Sequence, residues 1–434
     1  MADSYRVRSL KKPAQWTVEV PGSKSITNRA LLLSALCKGY VYLHGVLFSD
    51  DSRHFLSSLQ SLGYGVRIDE GQHTVELEGC GGVLPVQTGS IHVGSAGTAA
   101  RFLTAMLGVS EGTFVINASE QMQKRPMQPL FEALISLGAS AEWLGEAWHL
   151  PVRITGAGAQ IRSLEQEAVL NLDISTSTQF LSAFLLIAPM FPHGIRIHIT
   201  SEKKDGSYIR ITRKMMQEFG VEAGFDGCDY TVAPFDGYQK TEYQIEPDVS
   251  GACYFYAAAA MSGGSAKVKH VHWDSMQGDM KFLKLLEQMG CSLTEEADGI
   301  RLTGPVDGLK GLEVNMNDFS DQALTLAAIA PYASSSVKIT HVGHIRGQEC
   351  DRLHAIVTNL RNAGITCEEG DDWVCIHPGK PQPCKIETFE DHRVAMAFAV
   401  MGLGAEGIEI LNPGCCKKTF ENFFEVLDGL LNKQ

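Results

Sequence analysis

The sequence contains no apolar run that could cross a bilayer. The longest, Phe180 to Phe191, is interrupted by Ser182 and Pro189 and falls short of the ~18 to 20 residues a membrane helix needs. No two of the eleven cysteines are spaced as C-x-x-C, their number is odd, and they are scattered from Cys37 to Cys416. Neither a disulfide framework nor a zinc site is indicated. G-K-[ST] is absent, which excludes a Walker loop. There is no run of five Lys/Arg, and the net charge of −13 (37 basic against 50 acidic residues) repels nucleic acid and anionic membrane surfaces. The opening residues, MADSYRVRSLKK, have no apolar h-region, so no secretory signal is expected and a cytoplasmic location is the default.

What is present is the composition of an ordinary folded protein. The 434 residues are 44% hydrophobic and 20% charged, and at ~150 residues per domain they suggest two or three domains. Six Ala-rich apolar stretches begin at Ser25, Ser95, Ser175, Ser250, Ser320 and Asp391, at intervals of 70, 80, 75, 70 and 71 residues. Each start offers a helix N-cap residue, and each stretch is apolar on most faces, which predicts a buried helix. A second, amphipathic stretch follows each one. Phe55, Leu56, Leu59 and Leu62 precede Gly63, and the same spacing recurs before Gly138, Gly290 and Gly364. This is a helical stripe ending in a glycine C-cap. Alternating segments after the glycine, as in VRIDEGQHTVELEG, read as hairpins.

The repeating unit is therefore buried helix, strand, surface helix and two strands, present six times, which suits two lobes of three units better than an open solenoid. The sixth copy has no hairpin after it, and residues 5–20 offer two unassigned strand-like segments expected to complete it. Lobe I would then hold residues 1–21 and 246–434, and lobe II residues 22–245.

The helix starts carry the chemistry. Pro21-Gly22-Ser23-Lys24-Ser25-Ile26-Thr27-Asn28-Arg29 puts two cations and hydroxyls where a helix has free N–H groups and partial positive charge, which makes an anion site; an ordinary capped helix with solvated cations is the plainer alternative. Gly94-Ser95-Ala96-Gly97-Thr98 repeats the device, with glycines that admit a ligand close to the backbone or simply make a tight turn. Arg125 is expected to open a surface helix with Pro126 in its first turn. Ser177, Thr178 and Gln179 are polar at an apolar helix start and need either a backbone or a ligand partner. Asp321 follows the Ser320 cap, and the run His344 to Arg352 and the pair Lys417-Lys418 open amphipathic helices. Separately each reads as a solvated helix start. Together they are what a polyanionic ligand requires, and in a two-lobed protein they can point into one cleft.

These segments also carry a resemblance. PGSKSITNRALLL, SAGTAARF, KRP, STQFLSA, EPDVSGACYF, SMQGD, CDRL, DHRVAMAF and CKKTF, spanning Val20 to about Leu427, resemble the 3-phosphoshikimate 1-carboxyvinyltransferase (EPSP synthase) family. The resemblance implies an α/β (α+β) fold, a two-lobed inside-out α/β barrel of six βαβαββ repeats with buried helices and a hinge. It implies transfer of the enolpyruvyl group of phosphoenolpyruvate to the 5-hydroxyl of shikimate 3-phosphate, on the route to chorismate and the aromatic amino acids, by a monomer without metal or cofactor. Lys24, Ser25, Arg29, Ser177, Thr178, Gln179, Tyr208, Asp321 and Gln348 would hold shikimate 3-phosphate. Lys24, Gly97, Arg125, Gln179, Arg352, Arg393 and Lys418 would hold phosphoenolpyruvate, and glyphosate would compete beside Gly97, where the missing side chain leaves room. Asp321 resembles the base toward the 5-hydroxyl, Glu349 the proton donor to the methylene, and Lys24 the group that neutralises the departing phosphate.

Three residues depart from the family pattern. Gln348 stands where many members carry Lys, Ser95 replaces a frequent Asn, and Asp205 falls where a Ser commonly helps hold the substrate phosphate, with Ser207 or Lys204 as substitutes. Two other readings are a UDP-N-acetylglucosamine enolpyruvyltransferase, whose usual reactive Cys has no counterpart in ASEQMQKR (118–125), and a non-catalytic anion-binding homologue. Cations of two lobes repel when empty and share a polyanion when filled, so shikimate 3-phosphate should bind first and closure follow. Small-angle scattering is expected to report compaction with both substrates, and an unchanged radius would count against it.

Overall fold

A helix apolar on every face has to be enclosed by protein, and its small residues decide how closely its neighbours approach. In the computed structural model, which describes residues 4–433, each Ala-rich stretch is such a helix and each is followed by a surface helix. In chain order the pairs are α1 (Lys24–Leu36) and α2 (Asp50–Ser61), α3 (Gly97–Val109) and α4 (Gln128–Ser136), α5 (Gln179–Leu186) and α6 (Ser207–Glu218), α7 (Val249–Ser262) and α8 (Met280–Gln288), α9 (Ala323–Ile329) and α10 (Arg352–Asn362), α11 (His392–Leu403) and α12 (Phe423–Leu431). Every residue of α3, α9 and α11 is buried, as is every residue of α5 after Gln179. The glycines after five surface helices all have positive φ, from 73° at Gly364 to 108° at Gly290, the left-handed turn that ends a helix without a Cβ penalty.

The chain divides into two compact units, Met1–Pro21 with Glu246–Gln434 (the first) and Gly22–Ile245 (the second). In the second unit α1, α3 and α5 pack on one another, and in the first α7, α9 and α11 do the same, with the sheets outside them. Six sheets surround these helix triplets, five of four strands and one of three. In each, the strand after the buried helix lies parallel to a leading strand. Thr88–His92, for example, runs parallel to Thr113–Asn117, which is antiparallel to Val152–Thr155. This is the βαβ crossover with a hairpin added.

Two leading strands come from elsewhere in the chain. Glu242–Gln244 pairs in parallel with Lys38–His44 after α1, although it is joined in sequence to α7. Gln15–Val18 pairs in parallel with Ser265–Lys269 after α7, although it is joined to α1. This corrects the expectation that both N-terminal segments complete the sixth repeat. Only Ser4–Arg6 does so, antiparallel to Ile408–Leu411. Gln15–Val18 instead fills the leading position of the fourth sheet, which stands open because Glu242–Gln244 is used by the first.

The expected caps are also corrected. The residues at the cap positions of α1, α3, α5, α7 and α9 are Ser23, Ala96, Thr178, Asp248 and Gln322, rather than Ser25, Ser95, Ser175, Ser250 and Ser320. Only Asp248 and Asp391 cap a buried helix through a side chain, accepting from Gly251 N (2.9 Å) and Arg393 N (2.8 Å). The close turns ahead of α1 set its start. A Cβ on Gly22 would lie 1.9 Å from the carbonyl oxygen of Gly45, whereas one on Gly429, inside α12, would meet nothing within 4 Å. Gly22→Ala is therefore expected to destabilise the protein by about 1–3 kcal/mol through a forced backbone shift, and Gly429→Ala to stabilise it by about 0.5–1 kcal/mol. Urea unfolding of both variants reads the two signs.

Candidate active site

The residues singled out in the sequence fall into two groups, one in each unit. In the second unit, α1 carries Lys24 at its first position and Arg29 five residues on. Lys24 Nζ is 3.6 Å from the buried carboxylate of Asp51, at the start of α2. Arg29 is 2% exposed and meets only neutral acceptors, namely Thr212 Oγ1 (2.8 Å), Ser25 O (2.9 Å), Tyr208 O (3.1 Å) and Ser182 Oγ (3.4 Å). The rings of Phe102 and Tyr208 lie 5.4 and 5.9 Å from its guanidinium carbon. Burial lowers its pKa to about 10. A buried cation without a carboxylate gains from any anion brought beside it.

Where α3 and α5 begin, Gln179 joins the two helices. Its Oε1 accepts from Arg101 Nη1 (3.0 Å) and its Nε2 donates to Thr98 Oγ1 (3.3 Å), while Arg101 Nη1 also reaches Gly97 O (3.0 Å). Ser177 Oγ accepts from Gln179 N at 3.3 Å, and Ser177 and Thr178 are half-buried. The room expected beside Gly97 is filled. A Cβ there would stand 2.6 Å from Arg125 Nη1 and 2.7 Å from Arg101 Nη1, so the glycine lets two guanidinium groups lie against the first turn of α3. Arg125 itself sits after a short helical turn, Glu120–Gln123, and before the Met127 cap position of α4, rather than opening that helix with Pro126.

In the first unit the centre is Arg352, 1% exposed, whose guanidinium serves four side chains. It donates to Asp391 Oδ2 (2.7 Å), Asp321 Oδ1 (2.9 Å), Glu349 Oε2 (2.9 Å) and Gln348 Oε1. Arg393 Nη2 holds the other oxygen of Asp321 at 2.9 Å, and Lys418 Nζ lies 3.5 Å from Glu349 Oε1. Arg352 is pushed above the ordinary guanidinium value because three carboxylates outweigh its desolvation. Asp321 precedes α9 within the kinked turn Asn317–Gln322, and its carboxylate pairs with the two arginines. Arg352 is the first residue of α10, and Lys418 closes the turn Pro413–Lys418 instead of opening α12.

The departures have physical consequences. Gln348 turns its carbonyl to Arg352, a bond that a lysine ammonium could not make. Asp205 is neutralised locally by Arg210 (2.6 Å) and accepts from Tyr230 OH (3.3 Å), while Lys204 Nζ is on the Ile199 carbonyl (2.5 Å). Four contributors were missed in the sequence reading: Asp51, Arg101, Asp279 and Asp391 as a partner of Arg352. Arg101, Asp279 and Asp391 lie inside segments already noted, but which side chain each meets depends on other repeats; Asp51 lies just ahead of the Phe55 stripe and meets Lys24 of its own repeat.

With the geometry in place, the comparisons are specific. The fold is that of the enolpyruvyl transferases: NikO of Streptomyces tendae superposes with a TM-score of 0.73 at 13% identity over 98% of this chain and 97% of that one. EPSP synthase from Acinetobacter baumannii superposes with a TM-score of 0.81 at 24% identity, covering 99% of this chain and 98% of that one. The family model for EPSP synthase (3-phosphoshikimate 1-carboxyvinyltransferase) matches residues 10–427, and the chain belongs to that family. The 3-phosphoshikimate 1-carboxyvinyltransferase of Nostoc sp. (strain PCC 7120) is 41% identical over 97% of this chain and 98% of its own length. That of Pasteurella multocida is 39% identical over 94% and 93%.

Burial raises the carboxyl of Asp279 to about 6, with the negative charge of Asp321 adding to the effect. An acid whose folded value is raised binds its proton more tightly in the native state, so it contributes stability that is complete below about pH 4 and lost as pH rises through 6. Between pH 4 and 6 the unfolding free energy of Asp279→Asn should therefore fall less steeply than that of the native protein. Parallel curves in urea titrations would contradict the assignment.

Proposed function

We propose that the chain transfers the enolpyruvyl group of phosphoenolpyruvate to the 5-hydroxyl of shikimate 3-phosphate, releasing phosphate, with the residues above in the roles the family resemblance gives them. The observation that carries this reading is the pair of carboxylates, Asp321 and Glu349, each 2.9 Å from the same buried guanidinium of Arg352. A reaction that adds a proton to a methylene and removes one from a hydroxyl needs two such groups with different neighbours. Asp321, paired with Arg352 and Arg393, serves as the base. Glu349 is held by Arg352 and Lys418. When the carboxylate and phosphate of phosphoenolpyruvate engage those cations, Glu349 loses its counter-charges and takes the proton it delivers to the methylene. The roles reverse on elimination.

Of the residues the resemblance assigns to shikimate 3-phosphate, Lys24, Ser25, Arg29, Ser177, Thr178, Gln179 and Tyr208 belong to the second unit and Asp321 and Gln348 to the first. Of the residues the resemblance assigns to phosphoenolpyruvate, Lys24, Gly97, Arg125 and Gln179 belong to the second unit and Arg352, Arg393 and Lys418 to the first, with Lys24 assigned to the departing phosphate. Among the described residues no helix is long and apolar enough to cross a membrane.

Phosphate release on mixing with both substrates, compared with a UDP-sugar acceptor, tests the reaction. Glu349→Gln and Asp321→Ala should each lower kcat about 10²- to 10⁴-fold, with substrate dissociation constants changing far less. Near-native turnover in either variant would refute its role.

A further inference from the structure

Asp279 takes no part in the reaction as proposed, and its surroundings are unusual for a carboxylate at a helix start. It occupies the cap position of α8, where an aspartate ordinarily accepts from the N–H groups of its own helix. Here the side chain makes no such bond. It is turned inward instead. Its Oδ2 accepts from Ser250 Oγ, in the first turn of α7, and from Gln322 Nε2 (3.2 Å), at the cap position of α9, all three side chains being buried. Ser250 Oγ also lies 3.4 Å from Arg393 Nη2, the same nitrogen that holds Asp321 at 2.9 Å. A hydroxyl that donates to a carboxylate is polarised and becomes a better acceptor for the next donor. Arg393 is thus flanked by Asp321 directly and by Asp279 through Ser250.

We propose that Asp279 is a positioning residue for enolpyruvyl transfer, acting through Ser250 on Arg393 so that this guanidinium is shared between Ser250 and Asp321 rather than held by Asp321 alone. The inference rests on the assignment of Arg393 and Asp321 to the substrates. With Asp279 ionised, Arg393 is shared, Asp321 keeps its basicity, and the guanidinium can turn to an incoming carboxylate or phosphate. With Asp279 neutral, Ser250 donates to an uncharged and weaker acceptor, is less polarised, and Asp321 takes a larger share of Arg393.

The groups facing Asp279 are Asp248, Ser250 and Cys253 from α7 and the turn before it, Asp321 and Gln322 ahead of α9, and Arg393 on α11. Asp321 and Asp248 raise its pKa, while Arg393 and the Ser250 bond lower it. Its charge changes near pH 6, inside the range where the enzyme can be assayed.

The test is the pH profile of kcat/KM for phosphoenolpyruvate in the full-length protein, with Asp279→Asn, Ser250→Ala and the double variant. The native profile is expected to rise through a midpoint near 6. Both single variants should lose that rise and fall about 10-fold at pH 7.5, and the double variant should be no worse than the worse single one, as for residues acting in one chain of contacts. A native profile in Asp279→Asn, a retained rise in Ser250→Ala, or losses that multiply would each overturn the proposal. If Asp279→Asn does not fold, Ser250→Ala decides, since it removes a single hydroxyl.

The ¹⁵N resonance of the Arg393 guanidinium, assigned from its loss in Arg393→Lys, separates this inference from the functional reading. It should move with pH near 6 in the native protein and stay still in Ser250→Ala. A native protein that shows this shift but releases no phosphate would refute the proposed reaction while leaving the coupling intact. A resonance that does not move in the native protein would refute the coupling.

Discussion

The buried guanidinium of Arg352 is the interaction on which the first unit depends. Placing a cation where it is 1% exposed is tolerable only because Asp391, Asp321, Glu349 and Gln348 surround it. Those partners are not independent of the fold. Asp391 also caps α11 by accepting from Arg393 N, which fixes the backbone of the next cation in the site. Asp321 lies in the turn before α9 and Glu349 in the one before α10. One side chain therefore sets the starts of three helices in register, and the chemistry is assembled where those starts meet.

The second unit solves the same problem in the opposite way. Arg29 is as deeply buried, yet its acceptors are hydroxyls and carbonyls, two of them (Ser182 and Thr212) bonded to one another at 2.9 Å. No charge cancels its own. The first unit presents cations that are already paired and must be released by an incoming anion, whereas the second presents a guanidinium lowered by desolvation and waiting for one. The two halves should therefore differ in how strongly salt and pH affect them, since paired buried charges are screened less than an uncompensated field that attracts ligand.

The six repeats and their buried and surface helices were legible in the sequence because period and apolar pattern are local. So were Lys24, Arg29, Asp321, Glu349, Arg352 and Arg393, each of which lies in the first two turns of a helix or just ahead of one, within a recognisable motif. Local signals misplaced the helix caps. Ser25 and Ser250 are good cap residues, but glycine turns, the kink at Phe319 and competing acidic residues such as Asp248 moved the real starts by one to three positions. Asp279 was invisible for a different reason. Its importance lies in turning away from its own helix toward two others, and no pattern in a single segment encodes that. The leading strands were missed likewise, because parallel pairing leaves no mark on which of two equivalent partners a strand will choose.

That choice of partners bears on how the protein is made. The second unit, Gly22–Ile245, is continuous and contains the strand Glu242–Gln244 that completes its first sheet, so it can finish as soon as it leaves the ribosome. The first unit cannot. Gln15–Val18 has no partner until Ser265–Lys269 has been synthesised, and Ser4–Arg6 waits for Ile408–Leu411. At ~5–20 residues per second the earliest part of the chain stays unpaired for roughly 20–80 s. A strand held open that long is an edge available to other nascent chains, which places the burden of avoiding misassembly on the first twenty residues: short strands separated by Lys11, Lys12 and Pro13, with too little apolar surface between them to associate before their partners arrive.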